Sequence, residues 1–307
     1  MHRGLNFPFS PHRTAHMTVE TAQQYVEASQ SSRAGLSGYT LMLLGLSILL
    51  GALWADPGLV AWRGPMGWLL PQIVLVVLLG IVILRMRRQR QLAQRMEEAF
   101  EAVQLRRWDE ARVLLDDLLS RPVRLSVVRA ELLLALAALA ESEQSYEASQ
   151  YIYEHLLEEN RADALQLHTA RVALAGAILR TGQVTNAVNL IERLERAALP
   201  EMLRAHVELL SLFREITMGQ VEASISRADE RRALFRKYLS TRAGYGYALL
   251  AAAFDRADQP AAAQKHWHDA TLLVRPEELL QRFGELEPVA RKYTAARNPL
   301  DPRRDES

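Results

Sequence analysis

TGQVTNAVNL at residues 181–190 and ADQPAAAQKH at 257–266 decide the fold. Each begins with a tight turn, Gly182 within the first, and then opens an Ala-containing helical run. Glycine interrupts helices, whereas Ala, Leu, Glu and Arg sustain them. The same grammar recurs in RRWDEARVLL (106–115), EQSYEASQYI (143–152) and MGQVEASISR (218–227). The alanines at 111, 148, 187, 223 and 263 stand 37, 39, 36 and 40 residues apart. Before each turn lies a helical run of about fifteen residues, so the pattern is helix, tight turn, helix, five times over. A recurrence at this period implies stacked helix pairs, because one pair cannot bury its own apolar face.

The best-preserved segment carries Tyr247, Leu250, Ala251, Phe254, Ala263, Trp267 and Ala270, with Pro276 just beyond. The third carries Leu174, Ala175, Ile178, Gly182 and Ala187. On these residues the stretch from about Gln91 to Tyr293 resembles a tetratricopeptide repeat array, whose period is about 34 residues. Two units depart from that pattern. Glu98 stands at an apolar position of the first, and Arg214 at an aromatic position of the fourth. A general solenoid of helical hairpins is the alternative architecture. Arg275–Tyr293, with Leu279, Leu280 and Phe283, is expected to cap the array.

Upstream, 39–55 (YTLMLLGLSILLGALWA) and 66–84 (MGWLLPQIVLVVLLGIVIL) contain no charged residue. About 20 apolar residues span a bilayer's hydrocarbon core, so a transmembrane hairpin is expected. Trp54, Trp62 and Trp68 flank its short connection, as indoles do at membrane interfaces. Ser47 and Gly51 permit close packing between the spans. Arg85, Arg87, Arg88, Arg90 and Arg95 follow the second span, whereas the connection holds only Arg63. The positive-inside rule then puts both termini in the cytoplasm.

The expected organisation is all-α. It comprises a polar, mobile leader (1–37), a two-helix membrane hairpin (38–86), a repeat domain of about five helix pairs with a capping helix (87–294) and a disordered tail (295–307). Met17 is an alternative start to Met1. In layout the chain resembles bacterial two-span inner-membrane proteins with cytoplasmic tetratricopeptide domains, the HemY family among them.

Composition removes other classes. With 37 basic and 36 acidic residues, no global field favours nucleic acid. The absence of cysteine excludes disulfides, thiolate metal sites and a cysteine nucleophile. No phosphate loop, dinucleotide glycine pattern, HExxH or nucleophile elbow occurs. His266 and His268 lie about 200° apart on a helix and cannot share a metal. No enzyme activity, cofactor, metal or small-molecule substrate is expected. The repeat resemblance implies instead a concave groove lined by first helices. In this sequence that implies Thr169, Val172, Gly176, Leu179 and Arg180, then Tyr245, Ala248, Ala252, Asp255 and Arg256. The expected partners are unidentified proteins and the lipid bilayer. The expected role is a scaffold or assembly factor, or alternatively a non-catalytic subunit of a membrane enzyme or transporter complex.

Overall fold

The computed structural model describes residues 16–30, 65–123, 125–159 and 162–294; side chains at 65–75, 77, 78, 85 and 88 are not described. Among the described residues every regular element is an α-helix or a 3-10 turn, so the all-α expectation holds. The chain divides into two compact units, 1–143 and 144–307.

The first unit contains α1 (Val19–Ser29), α2 (Pro65–Gln104), α3 (Trp108–Leu119) and α4 (Ser126–Ser142). Thr18 caps α1 by accepting the Thr21 N–H at 3.3 Å, and Glu20 complements the positive end of the helix dipole. Ala22, Tyr25, Val26 and Ser29, spaced to share one face, are buried. The Tyr25 hydroxyl donates to Asp116 on α3 at 2.9 Å. Arg129 on α4, itself buried, donates to Ser29 Oγ at 2.9 Å and to the Val26 carbonyl at 3.0 Å. The Val123 N–H takes the Ser29 carbonyl at 3.0 Å. Residues 16–30 are therefore a docked helix, which corrects the expectation of a mobile leader there. The anchors lie about a hundred positions away, where no local pattern reveals them.

Helix α2 runs 40 residues without a break, about 60 Å at 1.5 Å per residue. The first expected span, with Trp54 and Trp62, lies outside the described residues, as does the tail from 295. The second falls on the amino-terminal half of α2, where Val76, Leu79, Val82, Ile83 and Leu84 are exposed. Among the described residues, no helix is long and apolar enough to cross a membrane. Arg87 is exposed; Ala99 and Ala102 are buried where α2 meets α3, and Glu98, just before them, faces solvent.

The second unit holds α5 (Tyr146–Glu159), α6 (Ala164–Arg180), α7 (Val184–Glu195), α8 (Glu201–Thr217), α9 (Val221–Ser226), α10 (Ala228–Tyr238), α11 (Ala243–Arg256), α12 (Pro260–Leu273), α13 (Pro276–Arg282) and α14 (Glu287–Thr294). Each helix packs on the next through most of this unit. In addition α6 touches α8, and α8 touches α11, so these three lie side by side.

One turn recurs. Arg106, Gln144, Gly182, Gly219 and Asp258 all have positive φ, between 55° and 77°. Four of these turns share two hydrogen bonds: the positive-φ residue's N–H reaches back three positions, and the next N–H reaches back five. This is the Schellman helix stop, in which αL backbone satisfies the last helical carbonyls. Five residues after the positive-φ position comes a small side chain with no exposure: Ala111, Ser149, Ala187, Ser224 and Ala263. Its N–H makes the first hydrogen bond of the new helix. Ala187 and Ala263 therefore sit where the sequence reading put them. In the fourth turn the register is corrected by one residue, since Ala223 is exposed and Ser224 takes the buried position. In the second turn Ala148 and Ser149 are both buried, and Ser149 holds the shared place.

The fourth turn is irregular for a second reason. Its following helix breaks at Arg227 into α9 and α10. Four residues before the positive-φ position, where the third and fifth turns have Ile178 and Phe254, stands Glu215. Arg231 answers it with two hydrogen bonds of 2.7 Å, and is only 1% exposed. Arg214 lies 3.6 Å from Glu195, while its neighbour Phe213 is buried. Gly246 lets α10 approach α11, because a Cβ there would lie 2.3 Å from the Phe235 ring.

Candidate functional site

The side-by-side helices α6, α8 and α11 present one face on which cationic and aromatic groups converge. Arg180 ends α6, and its Nη1 donates to the Gly176 carbonyl one turn back at 3.1 Å. Gly176 leaves that space open, since a Cβ would stand 3.1 Å from the same nitrogen and 3.3 Å from Leu210. The guanidinium lies 5.5 Å from the Tyr146 ring centre, 5.9 Å from Phe213 and 5.6 Å from Phe283. At these separations a cation is attracted to the ring faces, more strongly where water is excluded.

Phe283 is the centre of the arrangement. It is 2% exposed and meets Phe213 edge-on at 4.9 Å and Tyr245 edge-on at 6.0 Å. Edge-to-face is the geometry aromatic quadrupoles prefer. Arg282 lies over the Tyr245 ring at 4.9 Å, and the Tyr245 hydroxyl donates to Glu278. Gln144 Nε2 donates to the Gln281 carbonyl at 3.0 Å. The stretch from Pro276 to Leu286 thus lies along the face built by α6, α8 and α11.

Of the residues expected to line an open groove, Val172, Gly176, Leu179, Tyr245, Ala248 and Ala252 are buried. Arg180 and Tyr245 meet through Phe283. Thr169 is engaged with its own helix, donating to the Leu165 carbonyl at 2.8 Å. Asp255 accepts from Lys292 Nζ and from the Tyr293 hydroxyl, each at 2.7 Å, and so pins α14. Burial alone would raise its pKa, but those two donors outweigh it and hold the carboxyl below its usual value. Arg256 is exposed, with Nη1 donating to the Ile216 carbonyl at the end of α8. Tyr146, Phe213 and Phe283 were not read as site residues. The one signal for Phe283 was its apolar spacing from Leu279, which served equally well for a cap.

Among the described residues, no group of His, Asp and Glu could hold a metal. His266 is buried and stacked on Phe254 at 5.1 Å, and His268 is exposed on the opposite face. His206, beside Arg242 and Arg282, donates through Nδ1 to the Met202 carbonyl, 2.9 Å away. Burial depresses its pKa first, and the two arginines add to that. A cleft of about 380 Å³ lies between α12, Pro276 and Tyr293, with no convergent charges in its lining. The face brings aromatic, cationic and hydrogen-bonding groups together around residues 278–283 of the same chain. No family model matches the sequence, and neither a curated protein nor a solved structure is significantly similar to it.

Proposed function

We propose that this protein is a membrane-anchored scaffold: a two-span hairpin tethers a tetratricopeptide-like solenoid that binds segments of other proteins on its concave face. The observation that carries the reading is the recurring Schellman turn with a fully buried small residue five positions on. Four turns share this geometry and a fifth, at Gln144, shares its positive φ and buried small residue; their spacing of 37 to 39 residues is what stacked helical hairpins require. Their first helices then form a shared surface, here the face of α6, α8 and α11.

The membrane half of the proposal has its own support. Helix α1 precedes both expected spans, and its anchors Asp116, Val123 and Arg129 follow them. A chain that leaves and returns to the same side must cross an even number of times, as a hairpin does. Helix α2 then connects the second span to the repeats without a joint. Its exposed Val76, Leu79, Val82, Ile83 and Leu84 suit lipid better than water. The absence of cysteine permits a direct test. A single cysteine at Ser307 should be shielded from an impermeant maleimide in intact cells, and one at Pro57 should react. Binding is tested by capture from gently solubilised membranes, with Phe213→Ala as comparison. A partner retained equally by wild type and Phe213→Ala would refute the groove as its site.

A further inference from the structure

We infer that residues Pro276–Leu286 occupy the groove as an internal ligand, and that the protein partner competes by presenting the same chemistry. That chemistry is a short helix with an apolar residue and, four positions later, a phenylalanine preceded by arginine, as in Leu279, Arg282 and Phe283. The inference rests on the scaffold reading and identifies the kind of partner.

The argument begins with what a cap does. In an array of stacked pairs each element touches its neighbours, so a capping helix covers the last pair alone. Helix α14 behaves this way. It packs on α11 and α12, buries Val289, Ala290 and Tyr293, and is tied by Lys292 and Tyr293 to Asp255. Residues 276–286 do otherwise. Phe283 reaches Phe213 on α8 and Arg180 on α6, and the Gln281 carbonyl meets Gln144 at the start of the unit. With Tyr245 on α11, one short segment touches four successive pairs, which is the footprint of a groove ligand. With α14 already covering the end, this stretch is not needed as a cap.

The segment is also built to leave. Helix α13 has seven residues, well below the length at which an isolated helix persists. Arg275 and Gly284, on either side of it, are exposed. Its polar ties to the face include Tyr245 with Glu278 and Gln144 with Gln281, and its deepest residues are Leu279, Phe283 and Leu286. Leu279 and Phe283 are an i, i+4 pair, the anchor spacing of helix-in-groove recognition. Joined to the array, the segment acts at an effective concentration in the millimolar range, so a free competitor faces a strong handicap.

The test uses the full chain in mild detergent and a fluorescein-labelled peptide of residues 275–288, read by anisotropy. Phe283→Ala should bind the peptide at least tenfold more tightly than wild type, and a peptide carrying the same Phe283→Ala change should not bind. Where Phe283→Ala fails to fold, Glu278→Ala, which removes the Tyr245 tie, takes its place. The second arm pairs Gln144→Cys with Gln281→Cys, both exposed, in the Glu278→Ala background and closes them with a short bis-maleimide. Closure should abolish peptide binding relative to the same chain left open. Peptide that binds no variant, or binds equally with the tether closed, overturns the internal ligand. No cellular partner enters the measurement. Its failure therefore leaves the scaffold open, whereas peptide exchange without any groove-dependent membrane partner would sink the scaffold alone.

Discussion

Replacing Glu215 by alanine would test the packing of the fourth helix pair. Arg231 is 1% exposed, and its guanidinium forms a bidentate pair with Glu215, both bonds at 2.7 Å. Its Nε donates to Glu208 at 3.2 Å and its Nη1 also reaches the Ser224 carbonyl at 3.2 Å. Burial opposes the charge, but the hydrogen bonds and field of Glu215, with Glu208 behind it, outweigh burial and raise the arginine's pKa. When Glu215 is lost Arg231 stays charged nonetheless, because a guanidinium is not deprotonated in proteins and Glu208 remains beside it. Breaking a buried ion pair by removing one partner typically costs about 3–5 kcal/mol. Glu208 and the Ser224 carbonyl keep some compensation, so Glu215→Ala should fall near the lower end, about 3 kcal/mol. In a domain of this size that corresponds to a loss of roughly 6–12 °C in Tm, at about 2–4 °C per kcal/mol.

The decisive comparison is the double variant Glu215→Ile with Arg231→Met. Isoleucine is what the third pair carries at this place, as Ile178. Apolar replacement of a buried pair is often neutral or stabilising, so the double variant should lie within about 1 kcal/mol of wild type. Arg231→Met alone should be costly, since it leaves Glu215 buried without its partner. With Glu215→Ile added as the matching single variant, melts of the full chain in mild detergent, followed by far-ultraviolet circular dichroism, give all four corners of the cycle. A single Glu215→Ala variant as stable as wild type, or a double variant as weak as the singles, would refute the reasoning.

Three further outcomes follow from the same geometry. Ser224→Leu should overpack the close helix approach and cost about 1–3 kcal/mol, as should Ala187→Leu and Ala263→Leu, whereas Ala223→Leu on the exposed face should be nearly neutral; urea melts ranking Ala223→Leu as the worse of the two would restore the earlier register. His206 and His266 are held below their ordinary pKa, chiefly by burial, so the stability they contribute is full above an unfolded value of about 6.5 and is lost as pH falls through their lower folded values; Tm should drop between pH 7 and 5, with a shallower slope in His206→Gln. Residues 91–307 should form a helical domain, but one lacking α1, and a synthetic peptide of residues 16–30 should raise its Tm; no shift, or a shift equally large with Tyr25→Ala and Val26→Ala in the peptide, would argue against the docked helix.

How far the sequence was legible follows from the range over which each feature is encoded. The helix stop was readable at Gly182 because a Schellman turn is specified within about ten residues: an αL position, the carbonyls behind it and a small residue ahead. The same locality let the fourth turn mislead. Alanine 223 and serine 224 are both small, and choosing between them needs the turn's hydrogen bonds rather than residue type. Glu215 and Arg231 were invisible for the opposite reason. Each alone looks like an ordinary charge on a helix surface, and only their pairing across a broken helix makes burial affordable to either. The docking of α1 on Asp116 and Arg129 depends on residues about a hundred positions away, with the expected membrane hairpin between them. Phe283 is the sharpest case. Its spacing from Leu279 fits a cap and a groove ligand equally, and what separates the two is whether the ring touches the last helix pair alone, through Tyr245, or also reaches back to Arg180. Local chemistry marks where this chain turns; what fills the face between the turns is written in separations of 70 to 140 residues, which no window on the sequence contains.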